Sequence, residues 1–249
     1  MFSLNRTASL LVFALFFTLP SVVFSQASSS SSEPQPQADQ PAKAAQSTGA
    51  ASVQARIRAR REARRAAAIH DVYGHLYEAY VGGGYERFEP GKSLQRMNEY
   101  SWDAGFTRFY SQKLGVTLDA RGIYGTAFLE PSQDYGTNIA HPTISEYTWM
   151  AGPTYRFILH PKYSVSGRVL GGAALGNFSG DTNRYGSAYF HIWPDGYGAA
   201  VSASVPVEYN LSPEIGLRLA PEYLLTTFGS TIQNSLGFTG GVAVRWGKR

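Results

Sequence analysis

The 249-residue chain contains no cysteine. That absence excludes a disulfide framework, a thiolate metal site, a cysteine nucleophile and a lipid-modified cysteine anchor. Charge is also scarce, at 16% of residues. Low charge without a long apolar run in the body of the chain is unusual for a cytosolic domain. What the sequence has instead is 16 Tyr, 14 Phe, 4 Trp and 26 Gly. That composition suits a sheet whose outer face meets something less polar than water.

The N-terminus carries an export pattern. Arg6 supplies the charged start, Leu10 to Leu19 are almost wholly apolar, and Pro20 ends the run before Ser25-Gln26-Ala27. The run is shorter than the ~20 residues a spanning helix needs, so residues 1–27 read as a signal peptide, cleaved after Ala27 or after Ser25. Residues 28–51 are rich in Ser, Gln, Ala and Pro and read as a disordered tether. Residues 52–70 differ, setting Arg56, Arg58, Arg60, Arg61, Arg64 and Arg65 against Glu62 alone. Arginine and alanine favour a helix, and Ser52 is a suitable N-cap. Two readings of this arm stand side by side: contact with anionic head groups or another envelope polyanion, or a solvated basic spacer. The arm also accounts for part of the pI near 9.2. Nucleic acid is not an expected partner of an exported chain.

From about Val72 the pattern acquires a period of two. Tyr197, Ala199, Val201, Ala203, Val205, Val207 and Tyr209 share one parity, opposite Gly198, Ala200, Ser202, Ser204, Pro206 and Glu208. One face is apolar and bounded by tyrosine at both ends, while the other is small and polar. A strand half in hydrocarbon has this alternation. Seven further segments repeat it, giving about eight strands of the ~9–11 residues that a tilted membrane strand requires. Tight turns at 111–113, 160–162 and 212–213 alternate with longer stretches near 87–98, 129–142, 178–195 and 228–233. The expected fold over 71–249 is therefore all-β, a closed antiparallel up-and-down transmembrane barrel with periplasmic termini and four outer loops. Pro153 and Pro221 interrupt strand patterns, and bulges or ladder breaks are expected there.

This segment resembles the small outer-membrane β-barrel family that includes the OmpA transmembrane domain and OmpX. The resemblance rests on Gly82-Gly83-Gly84-Tyr85, the repeated Gly/aromatic strands, and the closing run from Gly237 to Trp246. It implies residence in the bacterial outer membrane, lipid as the surrounding partner, a monomer, and insertion by the barrel assembly machinery. Members commonly end on an aromatic residue; here Trp246 is followed by Gly247-Lys248-Arg249, and Trp246 is the candidate assembly signal.

Strand parity turns Glu78, Asp103, Asp119, Glu146, Glu208 and Glu222 inward, with Arg121, Arg156, Arg168, Arg218 and Arg245. Guanidinium pairs bidentately with carboxylate, and an eight-stranded barrel is just wide enough for side chains to fill. A plugged, ion-paired lumen is expected, with a narrow charge-lined channel as the alternative. Catalysis has little support. The histidines are His70, His75, His141, His160 and His191. Only His191 with Asp195, or His141 with Ser145 and Glu146, could be pressed into the constellation of a lipid-modifying enzyme. The loops holding Asp134 and Asp181 lack the carboxylate density of a calcium site. No cofactor or metal is expected. The leading expectation is a non-enzymatic structural or surface-interaction protein, presenting loop tips such as 133–138 and 183–187 to a surface ligand.

Overall fold

The computed structural model describes residues 41–129, 139–182 and 185–248, with side chains from Val53 onward. The expected signal peptide and most of the expected tether lie outside the described residues. The chain enters as one helix, α1 (Pro41–Tyr73). This helix starts earlier than the anticipated Ser52 and runs past His70. Alanine is the strongest helix former and proline is tolerated in a first turn, so the alanine-rich stretch after Pro41 can extend a helix upstream.

Nine strands follow among the described residues: β1 (His75–Phe88), β2 (Met97–Phe109), β3 (Leu114–Thr126), β4 (Thr143–Leu159), β5 (Tyr163–Asn177), β6 (Gly196–Ser204), β7 (Val207–Asn210), β8 (Ile215–Phe228) and β9 (Thr231–Lys248). Strands adjacent in the chain pair antiparallel, β6 and β7 excepted, and β9 closes the ring along the free edge of β1, with Tyr77 opposite Trp246 and Tyr85 opposite Phe238. Strands β6 and β7 are two halves of one stave, interrupted at Val205-Pro206 and both paired to β5 and β8. The barrel thus has eight staves and no free edge, the condition for placing strands in lipid.

The outside is apolar. Val81, Leu118, Val169, Val201 and Leu219 are all exposed. Rings bound this band at both ends. Tyr77, Phe106 and Trp246 cluster within 6.1 Å of one another at the turn end, and Tyr85 lies 6.0–6.4 Å from Phe238 and Tyr100 at the loop end. Apolar exterior, aromatic girdles and polar interior together make this a transmembrane β-barrel.

Pro153 and Pro221 behave as ladder breaks without bulges. The β4–β5 ladder skips Gly152 and Pro153 and resumes in the same register, and the β8 ladder skips Ala220 and Pro221 opposite the β6–β7 interruption. Pro206, within the strand of clearest alternation, is a third such break. The register shift falls elsewhere, between Arg156 and Ile158, and leaves Phe157 and Ile158 both exposed.

The fourth expected loop is absent. Phe228 pairs directly with Thr231 across a two-residue turn in which Gly229 (φ 58°) and Ser230 (φ 61°) are both left-handed. Such a turn matches the strand twist, so the hairpin needs no longer connection. The other three outer connections gather an apolar cluster at the loop end: Phe88, Leu94, Leu129, Phe178, Phe190 and Ile192 are all buried there with Met97, Ile144 and Phe228.

Candidate functional site in the barrel interior

At the turn end the lumen is floored by the last residue of α1. Tyr73 is fully buried; its hydroxyl donates to the His160 carbonyl at 2.8 Å and accepts from Asn210 Nδ2 at 2.7 Å. The period-two pattern expected from about Val72 in fact starts later: β1 begins only at His75, and Tyr73, as a helical residue, turns into the mouth.

Above this floor lies a layer of three arginines and two glutamates. Glu78 Oε2 accepts from Arg156 Nη2 at 2.7 Å and from Arg245 Nε at 2.8 Å, while Oε1 accepts from Arg218. Glu208 accepts from Arg218 Nε at 2.8 Å, from Arg245 Nη2 and, at 3.3 Å, from Ser164 Oγ. The Arg156 guanidinium also sits 3.6 Å from the Phe109 ring centroid. Guanidinium is weakly hydrated and planar, so it can be satisfied by carboxylates on its edges and a ring on its face. The gap left in this layer is about 10 Å³, room for one water at most.

Tyr80 separates this layer from the next. Its ring lies 4.2 Å from Arg218 and 5.1 Å from Arg168, and its hydroxyl meets Asp119 and Arg168. In the second layer Arg121 Nε donates to Asp119 at 2.6 Å and Nη1 to Glu222; Arg168 reaches Asp119 at 3.3 Å and Ser204 Oγ at 3.1 Å. The Tyr80 ring occupies space that glycine alone leaves free: a Cβ at Gly105 would fall 2.1 Å from Cε1 of that ring. Gly105→Ala is therefore expected to cost about 1–3 kcal/mol, read as a lower urea midpoint, with the cost reduced in a Tyr80→Leu background.

Nine of the eleven residues assigned to the lumen by parity thus meet in ion pairs. Asp103 and Glu146 are buried in the same interior but join no ion pair among the described residues. Two more acids join them. Glu86 and Glu99, directly opposite each other on β1 and β2, are buried near the apolar cluster with unpartnered carboxylate oxygens. Neither is among the six acids expected inside, although both flank the loop expected near 87–98 and their parity matches that of Glu78 and Asp103. The six-to-five balance expected of the interior is in fact eight carboxyls to five guanidinia among the described residues.

The histidines are dispersed. His75 is buried with Nδ1 3.0 Å from the Val72 carbonyl, and His160 stacks on Tyr163 in a turn. Ser145 and Glu146 stand on opposite faces of β4, so His141 cannot assemble a triad with both. Asp195 instead ties down a loop, accepting from the Phe178 amide at 2.6 Å and from Ser179. Asp181 accepts from Thr143; Asp134 and the loop tip at 133–138 lie outside the described residues. No group of three His, Asp or Glu side chains among the described residues could hold a metal ion.

No protein-family model and no curated protein matches the chain. Solved structures do. Neisserial surface protein A is 14% identical over 68% of this chain and 97% of that one, with a TM-score of 0.47. Ail, the attachment invasion locus protein of Yersinia pestis, is 12% identical over 67% of this chain and 97% of its own, with a TM-score of 0.43. The N-terminal β-barrel domain of Pseudomonas aeruginosa OprF is 11% identical over 68% and 98%, with a TM-score of 0.35. In fold, the chain is similar to small outer-membrane β-barrels.

Proposed function

We propose that the protein is a non-enzymatic anchor in the bacterial outer membrane, with both termini in the periplasm, three long loops and one tight hairpin outside, and a lumen closed by its own ion pairs. The carrying observation is the stack of layers from the Tyr73 floor through both arginine–carboxylate networks to the apolar cluster at the loop end. An ion crossing this lumen would have to displace buried guanidinium–carboxylate pairs, and breaking one such pair costs about 3–5 kcal/mol. The loops are then the part that meets a surface ligand, held by a rigid scaffold. Trp246, packed between Tyr77 and Phe106 at the turn-end girdle, is the residue offered to the assembly machinery.

A narrow channel is the second reading, favoured by Asp103, Glu86, Glu99 and Glu146, whose unpartnered oxygens would suit a carboxylate-lined entrance for cations. Planar-bilayer recording separates the two. Purified protein is expected to give no steady openings; sustained cation-selective steps on the order of a nanosiemens would establish the channel instead.

A further inference from the structure

The six arginines of α1 are left unused by the closed barrel. Every side chain from Val53 to Ala67 is exposed, so nothing among the described residues covers them. Arg56, Arg60 and Arg64 follow one another at single-turn spacing, and Arg61 and Arg65 form a second row. Like charges at this spacing repel, and Glu62 is the only acid among them. Leu, Phe and Trp are absent from residues 52–70, which rules out an arm held by burying an apolar face.

The helix is fixed where it meets the barrel. Tyr73 is lodged in the mouth, four residues before Tyr77 of the turn-end girdle. At the helical rise, Arg65 and Arg56 lie about 12 Å and 26 Å along the axis from Tyr73. The same end of the barrel carries Arg108, Lys113, Lys162 and Lys248 against Asp71 and Glu214, with Lys248 paired to Asp71 at 3.3 Å. An excess of cations is therefore held at one membrane–water interface.

We infer that the arginine-rich helix binds the anionic phospholipid headgroups of the leaflet at the turn end of the barrel. This rests on the membrane-barrel reading. Arginines near an anionic surface are drawn to it, and tethering raises the local concentration to about the millimolar range. Bidentate guanidinium suits a phosphate diester. A cell-wall polyanion matches the charge equally, but the barrel does not hold such a polymer beside the helix, whereas it does hold the leaflet.

The absence of cysteine makes a single reporter possible. Ile57→Cys, one turn before Arg61 in the second arginine row, would carry a fluorophore on the full chain in nanodiscs of phosphatidylcholine, with or without about 30% phosphatidylglycerol. Because both leaflets of a disc are alike, the result does not depend on which compartment the turn end faces. Acrylamide quenching should fall about threefold in the anionic discs and recover near 1 M salt. Changing all six arginines (R56Q/R58Q/R60Q/R61Q/R64Q/R65Q) should abolish the difference while the barrel keeps its heat-modifiable gel mobility. Equal quenching in both discs would overturn the inference, as would protection that appears only when cell-wall fragments are added to phosphatidylcholine discs. A chain that enters neither disc would overturn the membrane reading beneath it.

Discussion

Glu78→Ala should lower the unfolding free energy of the barrel by about 3–5 kcal/mol, seen as a fall in the urea midpoint in detergent or lipid discs. Among the described residues, Glu78 is the only carboxylate that accepts from all three arginines of its layer, and the only one paired with Arg156. Without it, Arg156, Arg218 and Arg245 share Glu208 in a space with room for one water at most. Uncompensated buried charge, rather than loss of an attractive contact, is what makes the variant unstable. Glu78→Ala combined with Arg156→Met should therefore lie closer to wild type than Glu78→Ala alone, by about 0.5–3 kcal/mol. A Glu78→Ala cost within about 0.5 kcal/mol of zero would mean that water already solvates the layer, and would move the balance toward the channel reading.

How much of this network was legible depends on where strand parity could be followed without interruption. Arg218, Glu222 and Arg245 lie deep inside regular alternation, and their interior placement follows from parity alone. Glu86 and Glu99 lie at strand ends that carry polar residues on both faces, so the sequence offers no sign that β1 continues to Phe88 and β2 starts at Met97. Their omission hid the excess of acid near the loop end. Tyr80 shares the inward parity of Glu78, but its position between the two ionic layers depends on contacts with β3, β5 and β8 that parity does not specify. The apolar cluster was not legible at all. Leu94, Phe178, Phe190 and Ile192 stand in stretches whose composition reads as polar loop, and only the convergence of three connections buries them together. The hairpin at Gly229-Ser230 was missed for a local reason: it lacks the Asn-Gly or Asp-Gly pair that marks such turns.

The exterior admits a test as strong as the interior. Val81→Arg is expected to destabilise the barrel by about 2–4 kcal/mol in lipid, whereas Tyr85→Arg on the same strand face should cost about 0–1 kcal/mol. Val81 is 63% exposed and stands midway between the Tyr77 and Tyr85 girdles, opposite Ala104 on one side and Val242 on the other. In water, an exposed valine changed to arginine would be nearly neutral, because the charged head would be solvated. The predicted penalty arises only if hydrocarbon surrounds that position, since the side chain must then reach a headgroup region four residues away along the strand. The gradient from Val81 to Tyr85 separates lipid exposure from ordinary side-chain effects, because both substitutions introduce the same group on the same face. If the two variants cost the same small amount, the apolar band would be facing something other than lipid, and the closed polar interior would need a different explanation.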